Sequence, residues 1–157
     1  DFPAATGGTY LNLADVIREQ AASPYTELKE LFQRVAFTIL VSNVDDHLKN
    51  HGFLYVGGGQ WRLSPVFDVN PAPDRNPHLE TAILEGGAHD RSILLALEAC
   101  EFFEIPPEEA RRMVRETARR ISEGWRETLR QVGLSGALAR DYELAFANAE
   151  TEVALAV

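Results

Sequence analysis

The chain has 157 residues, 45% of them apolar, which predicts one domain or part of a larger one with a real hydrophobic core. Its formal net charge of −9 argues against a large nucleic-acid-binding surface but leaves the binding of an anionic nucleotide open. No apolar run approaches the roughly 20 residues of a membrane span, and one cysteine, Cys100, fits a reducing cytoplasm. The opening residues show no signal peptide and resemble mid-protein sequence, so we expect a fragment.

The first half of the chain predicts two helices and a hairpin. Apolar spacing predicts a modest helix over 11–22, and Ser23-Pro24 is a start signal, with Ser as the cap, for a buried central helix that ends near Ser42. Two short apolar runs, 52–56 and 60–64, flank Gly57-Gly58-Gly59 and predict a β-hairpin with a three-residue loop. Four prolines then predict an irregular segment over 64–78.

The second half predicts helices alone. One with a strongly apolar face covers 92–103, and a long one opens at Pro106-Pro107 and runs to about Val132, before Gly133. A last helix is predicted from Ser135 to about Ala154. The predicted fold class is therefore mainly α with a small β-hairpin.

A dense polar stretch, N-V-D-D-H-L-K-N at positions 43–50, directly follows the apolar run 35–41. The spacing from Asp45 to Asn50, D-x-x-x-x-N, is that of a kinase catalytic loop, in which the Asp receives a hydroxyl proton and the Asn holds magnesium. Asp68 follows a short hairpin later. Asp45 as base, with Asn50 and Asp68 as magnesium ligands, would supply the groups that phosphoryl transfer requires.

A structural reading of the same residues stands beside the functional one. Asp and Asn are common after helices because they cap and turn, and Asn43, Asp46 or Asn50 taken singly is explained equally well in that way. The combination of Asp45, Asn50 and Asp68 favours a site. Asp46 is the rival of Asp45 as base, and only the spacing selects Asp45.

Two further side chains of the stretch have open roles. His47 could contact a phosphate or brace the loop, and the sequence favours neither. Lys49 could add positive charge near a phosphate, although an exposed, solvated lysine is the simpler interpretation.

The stretch 43–50, together with W-R-L-S-P-V-F-D-V-N-P at 61–71, resembles the C-terminal catalytic lobe of HipA-type serine/threonine kinases, the toxins of bacterial toxin–antitoxin pairs. The resemblance implies that Asp45 and His47 are catalytic, and that Asn50 and Asp68 bind the metal. Together with His47 and Lys49, these two ligands would hold the nucleotide. Asp68 takes the place of the kinase D-F-G aspartate, but the tripeptide here is Asp68-Val69-Asn70, so a Phe-driven switch is in doubt.

The resemblance also sets expectations for the whole chain. It implies that residues 1–157 form one C-terminal lobe, with magnesium and ATP as cofactors, a protein substrate and an antitoxin partner. The family's N-terminal lobe, with its phosphate-covering loop and lysine, has no counterpart before residue 43, so we expect the piece alone to bind ATP weakly and to be inactive. A non-catalytic helical module that binds an antitoxin and a magnesium-dependent phosphohydrolase remain alternatives.

Overall fold

The computed structural model describes residues 8–73, 78–84, 86 and 89–157. Helix α1, Tyr10–Gln20, begins with a capping box in which the side chains of Thr9 and Asn12 bond to each other's backbone amides. Helix α2, Pro24–Leu40, starts at the predicted proline. Ser23 stands at the predicted N-cap position, although its side chain makes no capping hydrogen bond.

The β-hairpin is confirmed. Strands β1, Phe53–Gly57, and β2, Gln60–Leu63, pair antiparallel with Tyr55 opposite Trp61, and a bulge follows Tyr55. The connecting glycines 57–59 all have positive φ angles. Residues with a side chain rarely adopt such angles, so glycine is needed in this turn. The hairpin attaches to the helices through the amide of Ala22, which donates to the carbonyl of Trp61 at 2.9 Å. The segment 64–73 has no helix or strand, as predicted, whereas 74–77 lie outside the described residues.

Two of the predicted helices are divided. Over 92–103 the chain forms α3, Ile93–Glu98, and then a 3-10 helix, Cys100–Phe103. This tighter turn directs the fully buried Phe103 against Phe32 of α2, with ring centroids 5.6 Å apart. The long helix α4 is Pro107–Gln131, close to its prediction.

The prediction of one helix over 135–154 is wrong. The structure has three short helices there, α5 at Ala137–Asp141, α6 at Glu143–Phe146 and α7 at Ala149–Ala156. The last break occurs because Asn148 adopts an extended conformation and its side chain accepts hydrogen bonds from the first amides of α7.

The hydrophobic core forms around α2, which contacts α1, α3, α4 and α7. The largest fully buried side chains of α2 that the structure describes are Leu28, Leu31, Phe32, Val35, Ile39 and Leu40. Because a closely packed buried helix is rigid, its C-terminal end holds a fixed position for the residues that follow. In the described ranges, no helix has both the length and the apolar character required to cross a membrane.

Candidate active site

The polar loop, which we define as Asn43–His51, begins where α2 stops. Ser42, buried and with a left-handed φ of 56°, reverses the chain, and the amide of Asn43 donates back to the carbonyl of Thr38 at 2.9 Å. Inside the loop, the amide of His47 donates to the carbonyl of Asp45 at 3.0 Å, and the amide of Asn50 to the carbonyl of His47 at 2.8 Å. These short-range bonds make the loop two consecutive tight turns, the second a 3-10 helix over Leu48–Asn50.

The predicted base and the predicted phosphate-side histidine lie together on the exposed side of the loop. The Asp45 side chain is 73% exposed, and its Oδ1 is 2.8 Å from Nε2 of His47. The other ring nitrogen of His47 is 3.6 Å from Oε1 of Glu80, a residue that sequence reasoning did not single out. Nδ2 of Asn50 points to the carbonyl of Asp45 at 3.5 Å, and Lys49 is exposed.

Asp68 reaches the same region through its neighbours. The amide of Asn70 donates to Oδ1 of Asn43 at 3.0 Å, and the amide of Ala72 donates to the carbonyl of Ser42 at 3.1 Å. Asp68 itself has a left-handed φ of 55° and is exposed, and its Oδ1 accepts from Nδ2 of Asn70 at 2.8 Å. The segment carrying Asp68 is thus bonded to the start of the polar loop.

A cleft of about 320 Å³ lies between the polar loop, α2 and the segment around Asp68. Of the five predicted site residues, all within the described ranges, Asn50 alone lines it, whereas Asp45, His47, Lys49 and Asp68 do not. The other lining residues are Glu30, Gln33, Arg34, Phe37, Thr38, Asn43, Asp46, His51, Val66, Phe67, Val69 and Thr117.

Asp46, considered from the sequence only as a rival base, is the centre of a buried polar cluster. Its Oδ2 lies 2.6 Å from the hydroxyl of Tyr10, 3.4 Å from that of Thr38 and 3.1 Å from Nε2 of His51. Its carbonyl accepts from the hydroxyl of Thr81 at 2.6 Å. Burial, and then the adjacent Asp46 carboxylate, raise the pKa of Tyr10 well above its ordinary value.

No local signal in the sequence could have revealed this cluster. Tyr10 and Asp46 are separated by 36 residues, and Thr81 and Asp46 by 35. Tyr10 comes just before the predicted helix over 11–22, and the structure makes it the first residue of α1. The contacts depend on how α1 and the 78–84 segment pack against the loop, which periodicity does not encode.

The donor chemistry of the predicted ligands fits magnesium. Since Nδ2 of Asn50 is directed to the carbonyl of Asp45, the amide oxygen of Asn50 is its remaining ligand atom, and Asp68 adds an exposed carboxylate. Mg²⁺ commonly takes one or two such oxygens and completes its shell with phosphates and water. Among the residues that the structure describes, no group of three His, Cys, Asp or Glu side chains is placed to hold a metal ion.

Comparisons with known proteins match the chain to one family. Residues 2–125 match the family model described as the HipA-like C-terminal domain. A "Putative kinase" of Haemophilus influenzae is 29% identical over 69 residues, which are 42% of this chain and 20% of that protein. "Putative kinase Y4mE" of Sinorhizobium fredii is 27% identical over 85 residues, 52% of this chain and 20% of that protein.

The fold is also found in a solved structure. It is a complex of Shewanella oneidensis MR-1 HipA, HipB and operator DNA, in which the matching chain gives a TM-score of 0.76 at 17% identity and covers 97% of the present chain. That match takes up 38% of the Shewanella chain, and the matches to the two curated relatives take up about a fifth of their length. The likeness confirms the predicted fold, a mainly helical lobe with a hairpin.

Proposed function

The chain belongs to the family of HipA-like C-terminal domains, and from that membership we propose that it is the catalytic lobe of a serine/threonine protein kinase. The reaction is transfer of a phosphoryl group from magnesium-ATP to a protein hydroxyl, in the cytoplasm. One observation carries the proposal: the bond from Asn70 to Asn43 joins the segment of Asp68 to the loop of Asp45 and Asn50. A base and two oxygen ligands on adjoining segments match what phosphoryl transfer needs.

Asp45 is the base in this proposal. Its carboxylate is 73% exposed, so a substrate hydroxyl can approach it, whereas the Asp46 side chain is 8% exposed and already accepts from three donors. The exposure contrast supports the choice that spacing alone made. His47, bonded to Asp45 at 2.8 Å, orients that carboxylate in the absence of substrate.

Asn50 and Asp68 are the proposed magnesium ligands, and His47 and Lys49 are the proposed phosphate contacts. Bound magnesium supplies neutralisation of the charge on the phosphate oxygens. Asn50 lines the cleft, and Phe67 and Val69, on either side of Asp68, line it too, so both ligands belong to segments that border one space. The chain's own contribution is to hold these oxygens in place before substrate arrives.

The test uses the whole protein that carries this chain, with radiolabelled ATP and either autophosphorylation or a protein acceptor as readout. Asp45→Asn and Asp68→Asn each remove one carboxylate and change little volume, so we expect losses of about 10²-fold or more. Glu123→Gln, which neutralises an exposed acid on α4, is the matched control and leaves the rate unchanged. Near-wild-type phosphorylation by either Asp variant would overturn the assignment.

A binding experiment addresses the expected weakness of the isolated piece. Calorimetry of residues 1–157 with ATP and magnesium is expected to show no micromolar binding, because we expect residues 1–42 to supply no phosphate-covering loop. Binding at micromolar concentration would contradict that expectation while leaving the kinase assignment intact.

A second candidate function is binding of an antitoxin protein, which would make the chain part of a toxin–antitoxin pair. The structure of similar fold comes from a complex of HipA with HipB and operator DNA, which favours a protein partner of that kind. The chain would be mixed with the purified antitoxin candidate and analysed by size-exclusion chromatography. Co-elution that survives Asp45→Asn and Asp68→Asn separates binding from catalysis, and absence of a complex at micromolar concentrations counts against this function.

A further inference from the structure

The buried cluster around Asp46 has no part in the chemistry proposed above, yet Asp46 belongs to the same loop as the proposed base and the ligand Asn50. Asp46 follows the proposed base directly and precedes the proposed ligand Asn50 by four residues. Its side chain is 8% exposed and accepts from Tyr10, Thr38 and His51, which come from α1, α2 and the end of the loop. One carboxylate thus joins three parts of the fold beneath the exposed residues.

The backbone of the same residue is held from the other side. Thr81 donates to the carbonyl of Asp46 at 2.6 Å, and the amide of Glu80 donates to the carbonyl of Val44 at 2.8 Å. These two bonds fix the residues on either side of Asp45 to the 78–84 segment. That segment is in turn attached to α1, because the amide of Tyr10 donates to the carbonyl of Ala82 at 3.1 Å.

His51 depends on Asp46 for its orientation. Its side chain is 5% exposed, its Nε2 faces Asp46, and its ring meets that of Tyr10 edge-on at 5.7 Å between centroids. Its Nδ1 is buried and, within the described residues, has no hydrogen-bond partner. Asp46 therefore provides the hydrogen bond that orients this ring, at the position next to Asn50.

An acceptor-only group is suited to this position. Tyr and Thr hydroxyls can donate, and a ring nitrogen of His facing a carboxylate carries the proton, so the three partners of Asp46 can all act as donors. Hydrogen bonds to an ionised acceptor are roughly twice as strong as neutral ones, and a buried carboxylate left without donors is strongly disfavoured. The hydrogen bonds of the Asp46 carboxylate are therefore all made only when the loop, α1 and α2 hold their observed relative positions.

We propose that Asp46 is the positioning residue of the site: through Tyr10, Thr38 and His51 it fixes the backbone from which Asp45 and Asn50 project. The kinetic part of this inference rests on the proposed kinase function, and the structural part does not. The role differs from that of Asp45, because the Asp46 carboxylate is buried, already accepts from three side chains, and acts through those neighbours.

Hydrogen exchange by NMR on the chain itself tests the structural part. The amides of His47 and Asn50, which bond within the loop, report its rigidity, and the amides of α4 report the rest of the fold. Tyr10→Phe removes one hydroxyl from the cluster, and we expect exchange of the two loop amides to rise about fivefold with α4 unchanged. Asp46→Ala is expected to raise it further, whereas Asp46→Asn, which keeps an acceptor oxygen, stays closer to wild type.

Tyr25→Phe is the matched control, because it removes the same group from an exposed tyrosine whose hydroxyl faces Glu109 at 3.4 Å. It should leave the loop amides unaltered. The inference is overturned if Tyr10→Phe leaves both loop amides at wild-type rates. It is also overturned if loop and α4 rates rise together, since that pattern marks general destabilisation.

Kinetics of the whole protein test the functional part. Tyr10→Phe is expected to lower kcat about tenfold while the KM for ATP changes less than about twofold, because misplacing the base slows transfer more than it weakens nucleotide binding. An unchanged kcat, with the loop amides still loosened, would refute positioning for catalysis. An inactive wild-type protein would refute the kinase proposal instead, and the exchange data would still decide the structural role of Asp46.

Discussion

Asn148→Ala should destabilise the chain more than the loss of an ordinary helix cap, because this side chain serves two helix ends. Its Oδ1 accepts from the amides of Glu150 and Thr151 at the start of α7, at 3.0 and 3.2 Å. Its Nδ2 donates to the carbonyl of Leu40, at the end of α2, and to that of Ala145, both at 3.1 Å. The substitution therefore removes an N-cap and a donor to the end of the central helix.

The magnitude follows from these two losses. Removing an N-cap costs about 0.5–2 kcal/mol of unfolding free energy. Leaving a buried carbonyl such as that of the fully buried Leu40 without its donor costs about 1–3 kcal/mol. Together we expect about 1.5–5 kcal/mol, which for a chain of this size lowers the Tm by about 3–20 °C.

Urea unfolding followed by circular dichroism measures the effect, and two variants separate its halves. Asn148→Asp keeps an acceptor for α7 but places a second acceptor against the Leu40 carbonyl, so only the donor half, about 1–3 kcal/mol, should be lost. Ser92→Ala removes a cap that bonds to Leu95 alone and should cost only about 0.5–2 kcal/mol. A loss no greater for Asn148→Ala than for Ser92→Ala, together with wild-type stability of Asn148→Asp, would refute the double role.

Three further outcomes are expected, each read from urea midpoints. The raised pKa of Tyr10 means that the folded state binds the phenolic proton more tightly than the unfolded state, so this stabilisation is full below about pH 10 and is lost as the pH rises further. In Tyr10→Phe, the free energy of unfolding should therefore fall less steeply above about pH 10 than in the wild type. The hydrogen bond from Lys29 lowers the pKa of Glu109, so the stabilisation by this ion pair is present above about pH 4.5 and is lost as the pH falls through the lowered pKa. In Lys29→Met, the free energy of unfolding should therefore fall less steeply on acidification than in the wild type. Phe103→Ala empties the space against Phe32 and should cost about 3–5 kcal/mol, and a cost below about 1 kcal/mol would contradict the packing.

The elements that the sequence predicts well are those whose own residues determine them. Helix α2 ends two residues before the predicted Ser42, and α4 ends one residue before the predicted Val132, because long apolar periodicity and proline starts are local signals. The glycine turn of the hairpin is equally local. Asn148 is a counterexample. It is a typical helix-start residue, with Glu150 in the first turn of α7, but the apolar spacing around it still indicates one continuous helix.

The site divides in the same way. The motif spacing names Asp45, Asn50 and Asp68, and their roles stay predictions until the variants are assayed. The spacing selects Asp45 over Asp46, but it could not indicate that Asp46 is buried, since that burial depends on distant partners such as Tyr10 and Thr81. Nor could it place Glu80 near His47, because that contact depends on how the 78–84 segment crosses the loop.

The side chain of Asn148 also sets an order of events during synthesis. It bonds to the carbonyl of Leu40 across 108 residues, just before the chain turns into the polar loop. A ribosome adds about 5–20 residues per second, so α2 is complete several seconds before its closing partner emerges. Throughout that interval the carbonyl of Leu40 lacks this donor, and the end of α2 acquires it only after Asn148 has left the ribosome.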